Sequence, residues 1–306
     1  MNQEDTQTGF GTTSGGIEKL KKAGRIAAQV LEYGKNLIKK DASMTEVLDK
    51  IEEKITELGA KPAFPAQISC NHLAAHYCPD EEDKTVFSDQ LACLDVGVHV
   101  DGFIGDTACT VDLSGKYSDL VKASQEALDN AIKIIKPDVA LSEIGKVIQE
   151  TINNYGFAPV RNLSGHGLGK YEIHTKPNIP NFDNGDKTKI EKGSVFAIEP
   201  FASTGAGIVQ DSGTATVFEL TNKKPVRNMI TRQVLKEIES YDGLPFTTRW
   251  LTRKLGGKAK YGLKEMEQLG MLHAHPPLAD KDKGMISQAE HSILIDDEGK
   301  VVVLTD

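Results

Sequence analysis

The stretch Leu94-Asp95-Val96-Gly97-Val98-His99-Val100-Asp101-Gly102-Phe103-Ile104-Gly105-Asp106 constrains this chain more than any other. Asp101-Gly102 is a two-residue turn pair, because a type I′ turn needs positive φ at both positions, which Asp and Gly tolerate. The flanks are rich in Val, Ile and Phe, as strands are. Pairing Val100 with Phe103 sets Asp95 opposite Ala108 and Asp106 opposite Gly97. Both carboxylates then leave the same face of the hairpin as diagonal neighbours. Buried carboxylates repel unless a positive charge lies between them, and a divalent metal is the usual remedy. Hard oxygen ligands on neighbouring strands suit one such ion, or two that share a carboxylate. A solvated hairpin with two surface acids fits the same pattern.

The rest of the chain predicts helices around strands. Apolar periodicity marks helices over about 17–40, 45–58, 117–135 and 141–155, with Gly59 and Gly156 as stops and Ser142 as a cap for the last. Strand-like runs follow at 194–201 and 212–220 around the turn Ser203-Thr204-Gly205-Ala206-Gly207, then at 291–295 and 300–304. Each half thus supplies helices and a hairpin, without clear sequence identity between them. Residues 1–16 are polar and Gly/Thr-rich, and are expected to form a disordered tail. Residues 222–284 read as a helical insert in which lysines and arginines outnumber acids, a candidate subdomain inside a domain of residues 17–306. A solvated helical face explains that charge better than a nucleic-acid surface, since the chain as a whole carries a formal charge of −8. No run is long and apolar enough to span a bilayer, and there is no signal-peptide pattern, so no membrane partner is expected. Cys70, Cys78, Cys93 and Cys109 form no C-x-x-C pair, and reduced cytosolic thiols are the expectation.

Three further fragments resemble pieces of a site. Ser164-Gly165-His166-Gly167-Leu168-Gly169 sets one imidazole among small residues, as in a tight turn. Phe196-Ala197-Ile198-Glu199-Pro200 places a glutamate at the end of an apolar strand. Ala289-Glu290-His291 places another at the start of the terminal hairpin. Each alone has a structural explanation. Together with Asp95 and Asp106 they supply the donor set of a two-metal hydrolytic centre.

By these fragments, in this order and at these spacings, the chain resembles the methionine aminopeptidases over nearly everything after about Ile17. The helical insert between Glu199 and Glu290 is similar to that of the type II, archaeal and eukaryotic branch. The resemblance implies the pita-bread α/β fold: two pseudo-symmetric halves, helices outside a curved, mainly antiparallel sheet, and metals between the halves. It implies two divalent ions, with cobalt, manganese, iron and zinc all suited to the donor set. Asp95 would hold one ion, His166 and Glu199 the other, and Asp106 and Glu290 both. His76 and His174 correspond to substrate-site histidines, and Phe64 and Ile173 to the walls of a methionine pocket. An apolar pocket suits a thioether. Glu199 corresponds to the proton shuttle. Implied too are removal of methionine ahead of a small second residue, nascent N-termini as substrate, a cytoplasmic location and a monomer, and the charge of the basic insert suits transient docking at the ribosome. His72 has no family role, and a His72/His76 metal pair is disfavoured because residues 71–77 do not read as a helix. His99 is expected to be a plain strand residue. His273 and His275, beside Pro276-Pro277, are expected in a loop.

Two other readings compete. A prolidase or proline-specific aminopeptidase would share the fold and donors, but the segment before His76 is short for the extra N-terminal domain of those enzymes. A non-catalytic ribosome- or nucleic-acid-binding relative is expected to have lost the ligands, and all five are here.

Overall fold

The structure, a computed structural model, describes residues 14–306. Residues 1–13, most of the expected tail, lie outside them, and Ser14 already opens a helix. Among the described residues there are seven helices: α1 (Ser14–Leu37), α2 (Met44–Glu57), α3 (Ser118–Ile134), α4 (Leu141–Asn154), α5 (Met229–Glu239), α6 (Thr248–Leu255) and α7 (Gly257–Gln268). Ser43 caps α2 by accepting from the Glu46 N–H. Gly59 and Gly156 follow α2 and α4 at positive φ, which a residue with Cβ adopts only under strain. Ser142 is not the cap of α4. It lies inside the first turn, buried, with its hydroxyl unpartnered, while Glu143 reaches back to the Ala140 N–H.

The hairpin joins Leu91–Val100 to Phe103–Asp112, with Val100 opposite Phe103, Asp95 opposite Ala108 and Gly97 opposite Asp106. Asp101 and Gly102 have φ of 50° and 86°, the pair of values the turn requires. His99 is buried and accepts the Gly102 N–H, which closes the turn. Against this hairpin pack α1 and α2, through Val30, Leu48, Ile51, Leu94 and Val96.

The second half builds a five-stranded antiparallel sheet in the order Val301–Val303, His291–Ile295, Val195–Ile198, Ser164–Gly169, Glu172–Pro180. Its outer face is covered by α3 and α4, through Leu128, Ile144, Ile148, Phe196 and Ile293. The halves meet at a short ladder of Leu73–Ala75 with Leu278–Asp280 and, where the hairpin reaches the second half, at an isolated bridge from Ala108 to Glu290. Side chains stitch the rest of the seam. The Ser292 hydroxyl accepts from the Asp106 N–H and donates to the Asp106 carbonyl, both at 2.8 Å. Thr107 and Thr110 donate to the carbonyls of Glu290 and Gln288.

Residues 217–275 have a core of their own, with Val234, Ile238, Phe246, Leu251, Leu263 and Met266 buried among α5, α6 and α7. This unit is fastened to α2. Arg249, with no exposed side-chain surface, pairs with Asp49 and with Glu52 at 2.8 Å. Trp250 donates its indole N–H to Glu52, and Arg253 pairs with Asp49 and Glu81. Lys254 meets Glu237, Lys260 lies near Asp80, and Lys223 pairs with Glu239. Much of the positive charge of this segment is therefore engaged by acids, several of them on the first half.

Candidate metal centre

Each expected ligand is delivered by a backbone feature of the fold. Asp95 and Asp106 come from the two arms of the hairpin. Glu290 stands at the bridge where the second half meets it. Glu199 ends the strand Val195–Ile198. His166 lies in a strand rather than a turn, between Gly165 and Gly167. The glycines are needed for close approach: a Cβ at Gly165 would lie 2.2 Å from the Ala197 carbonyl oxygen, and one at Gly167 would lie 2.1 Å from that of Lys176. The strand carrying His166 can thus be squeezed between its neighbours and deliver the imidazole inward.

A cavity of about 340 Å³ opens at this seam, and Asp95, Asp106, His166, Glu199, Glu290, His76, His174, Phe64 and Ile173 all line it. The tightest group is Asp106, His166 and Glu290, which can each offer one donor atom within 4.8 Å of the others. The His166 Nε2 lies 3.5 Å from a Glu199 oxygen and 3.7 Å from an Asp106 oxygen. Its Nδ1 faces the Gly167 carbonyl at 3.3 Å. That contact places the ring proton on Nδ1 and leaves the Nε2 lone pair turned toward the carboxylates. His72 is no part of this group. It sits in the turn before Leu73–Ala75, where its carbonyl accepts the Asp280 N–H.

The electrostatics leave one partner to be supplied. Burial pushes Asp95 up to about 7. Burial, and then the charge of Asp95, pushes Asp106 well above the usual carboxylate range. Burial and the neighbouring acids do the same to Glu199 and Glu290. Burial also takes His166 down to about 4, so the imidazole is neutral and offers no counter-charge. Among the described residues, no lysine or arginine lines the cavity. One oxygen each of Asp95 and Asp106 is buried without a hydrogen-bond partner. Four crowded acids, a lone pair aimed at them and two orphaned oxygens fit divalent cations well.

Around this donor set the walls differ in character. Phe64 and Ile173 are buried apolar side chains. The backbone N–H of His76, at φ 66°, donates to the Gln67 side chain, and its Nδ1 faces the Pro276 carbonyl. Burial, with the nearby His275, takes His76 down to about 4. The His174 ring stands edge-on to His166 with centroids 4.5 Å apart. Burial and the surrounding imidazoles hold it well below the usual range.

Among the lining residues that were not foreseen, Gln288 and His275 matter most for the chemistry. Gln288 is buried, and its amide lies 3.4 Å from both Glu199 and Glu290. Its place two residues before Glu290 on an extended segment was the available signal. His275 is not in a loop: Leu272–His275 is a strand paired with Val217–Leu220, and His275 lines the cavity. The following Pro276-Pro277 is compatible with a strand end, since the missing N–H falls beyond the ladder.

Residues 18–224 match the metallopeptidase family M24. The methionine aminopeptidase of Methanocaldococcus jannaschii is 42% identical over 286 residues, covering 93% of this chain and 97% of that protein. That of Archaeoglobus fulgidus is likewise 42% identical, over 287 residues. Among solved structures, a methionine aminopeptidase from Thermotoga maritima superposes with a TM-score of 0.70 at 26% identity, covering 98% of this chain and 100% of the other. A thermophilic Arx1 superposes with a TM-score of 0.83 at 18% identity, covering 95% and 91%, a likeness of fold alone. The fold is the pita-bread fold that the resemblance implied, and the chain belongs to this metallopeptidase family, among its methionine aminopeptidases.

Proposed function

We propose that the protein removes the N-terminal methionine from polypeptides whose second residue is small, as a type II enzyme of its family. The observation that carries this reading is the pairing of a cation-seeking donor set with an apolar recess in one cavity. We assign Asp95 to one divalent ion, His166 and Glu199 to a second, and Asp106 and Glu290 to both. Divalent ions there would supply acidification of water and polarisation of a carbonyl, at a site whose own imidazoles are neutral.

The remaining work falls to the protein's side chains. Phe64 and Ile173 bury the methionine side chain, a gain of about 2 kcal/mol for a side chain of that size. His174, neutral, donates an N–H to the oxygen that gains charge as the carbonyl is attacked. Glu199 takes the proton released by the attacking water and hands it to the leaving amine. His76 lines the leaving-group side and holds its orientation through the Pro276 carbonyl. The small second residue is the family's preference, carried over. Nascent chains present such N-termini in the cytoplasm, where we place the protein as a monomer. Docking at the ribosome through the cations left over on residues 223–269 would appear as salt-sensitive co-sedimentation.

The test is turnover by purified, metal-reconstituted protein of two peptides, one beginning Met-Ala-Ser and one beginning Ala-Pro, read by mass. Loss of methionine from the first alone is expected. Cleavage of the second alone would move the protein to the proline-specific side of the family.

A further inference from the structure

We infer that His275, oriented by Glu219, is a specificity residue that accepts a main-chain N–H of the substrate downstream of the cleaved bond. This rests on the aminopeptidase reading above and extends it to the third residue of the peptide.

The two ring nitrogens of His275 have different surroundings. Nε2 is buried without a hydrogen-bond partner, and the nearest charge is a Glu219 oxygen 3.6 Å away. Glu219 and His275 are diagonal neighbours on paired strands, since Glu219 faces His273 and Val217 faces His275. A carboxylate at that nitrogen keeps the ring proton on Nε2. Among the described residues Nδ1 has no hydrogen-bond partner, and it is not among the buried unpartnered atoms, so it is open, on a residue that lines the cavity. The atom offered to a ligand is therefore an acceptor. Beside it stand His76, with ring centroids 5.4 Å apart, and His174, at 6.4 Å.

The order of the rings points to the part of a peptide it would reach. From the metal donors outward they run His166, His174, His275, His273, at centroid separations of 4.5, 6.4 and 4.7 Å. His275 is thus two rings removed from the donor set, beyond the imidazole assigned to the scissile carbonyl. The N-terminal residue lies at the metals with its side chain among Phe64 and Ile173. The chain that leads away from the cut is what passes His275, and the first N–H it offers beyond the scissile amide belongs to the third residue.

The experiment compares the amide of Met-Ala-Ser with its isostere in which the third residue's N–H is replaced by an ester oxygen. Metal-loaded wild-type protein should favour the amide about tenfold in kcat/KM, mostly through KM. His275→Phe keeps a ring of similar shape and should cleave both substrates at the rate at which wild type cleaves the ester. Glu219→Gln keeps the imidazole but frees its proton, and should reduce the preference to about threefold. A preference undiminished in His275→Phe and in Glu219→Gln would overturn the assignment while leaving the aminopeptidase reading intact. Absence of methionine release from either substrate by wild type would overturn both.

Discussion

Asp280 holds its charge inside the protein by filling its acceptor sites. It is 2% exposed and accepts from the Ser203 hydroxyl and from the N–H groups of Ala206, Gly207, Asp282 and Gly284. Burial alone would raise its pKa, but these donors outweigh it and hold the carboxyl below the ordinary range. A depressed folded pKa contributes stability that is present above about 3.9 and disappears as pH falls through the folded value. Asp280→Asn should therefore cost about 2 kcal/mol at pH 7 and progressively less as pH drops below 4, measured by urea unfolding across pH. At the site itself, Glu199→Gln keeps shape and hydrogen-bonding capacity but cannot take a proton. Turnover should fall at least about a hundredfold with the melting temperature little changed, and near-normal turnover in a metal-loaded variant would refute the shuttle.

Elements show what could be read in advance and what could not. The hairpin register, the glycine stops of α2 and α4 and the strand-end position of Glu199 follow from residues within a few positions of each other. His275, Asp280 and Arg249 have meaning only through partners far away in the chain, so no window of sequence exposes them. Arg249 reads as one more cation in a basic segment, yet it is fully buried against Asp49 and Glu52 of α2. Arg249→Met should cost about 3 kcal/mol, because the nearly buried Glu52 loses its charge partner and keeps only the Trp250 N–H. Adding Glu52→Leu to it should recover part of the loss, a comparison that thermal melts can make. The strand bearing His166 is as sensitive in another way. Gly165→Ala would drive a methyl into the Ala197 carbonyl, and a loss of about 1–3 kcal/mol with weakened metal binding by calorimetry is expected.

The whole molecule is two halves and a clamped insert that meet at a crowd of like charges. Without cations, that crowd opposes the closure that the seam hydrogen bonds favour. Metal binds the folded chain and not the unfolded one, so stability should rise with free metal, by about 2.7 kcal/mol at a hundred times the dissociation constant. Chelation should lower the melting temperature by several degrees, and restored metal should return it. An unchanged melt, with binding shown independently, would mean that the halves close without help.

The bridge from Ala108 to Glu290 also has a consequence in time. The proposed ligands are spread over roughly two hundred residues, and Asp106 takes its backbone restraint from Ser292. A growing chain that has made only the first hairpin holds two acids and no imagined pocket for an ion to share. On the proposed assignment the full donor set is therefore complete only after Glu290 has been synthesised and has folded back. Until then an ion held by the earlier ligands lacks one of the two carboxylates that we assign to both ions.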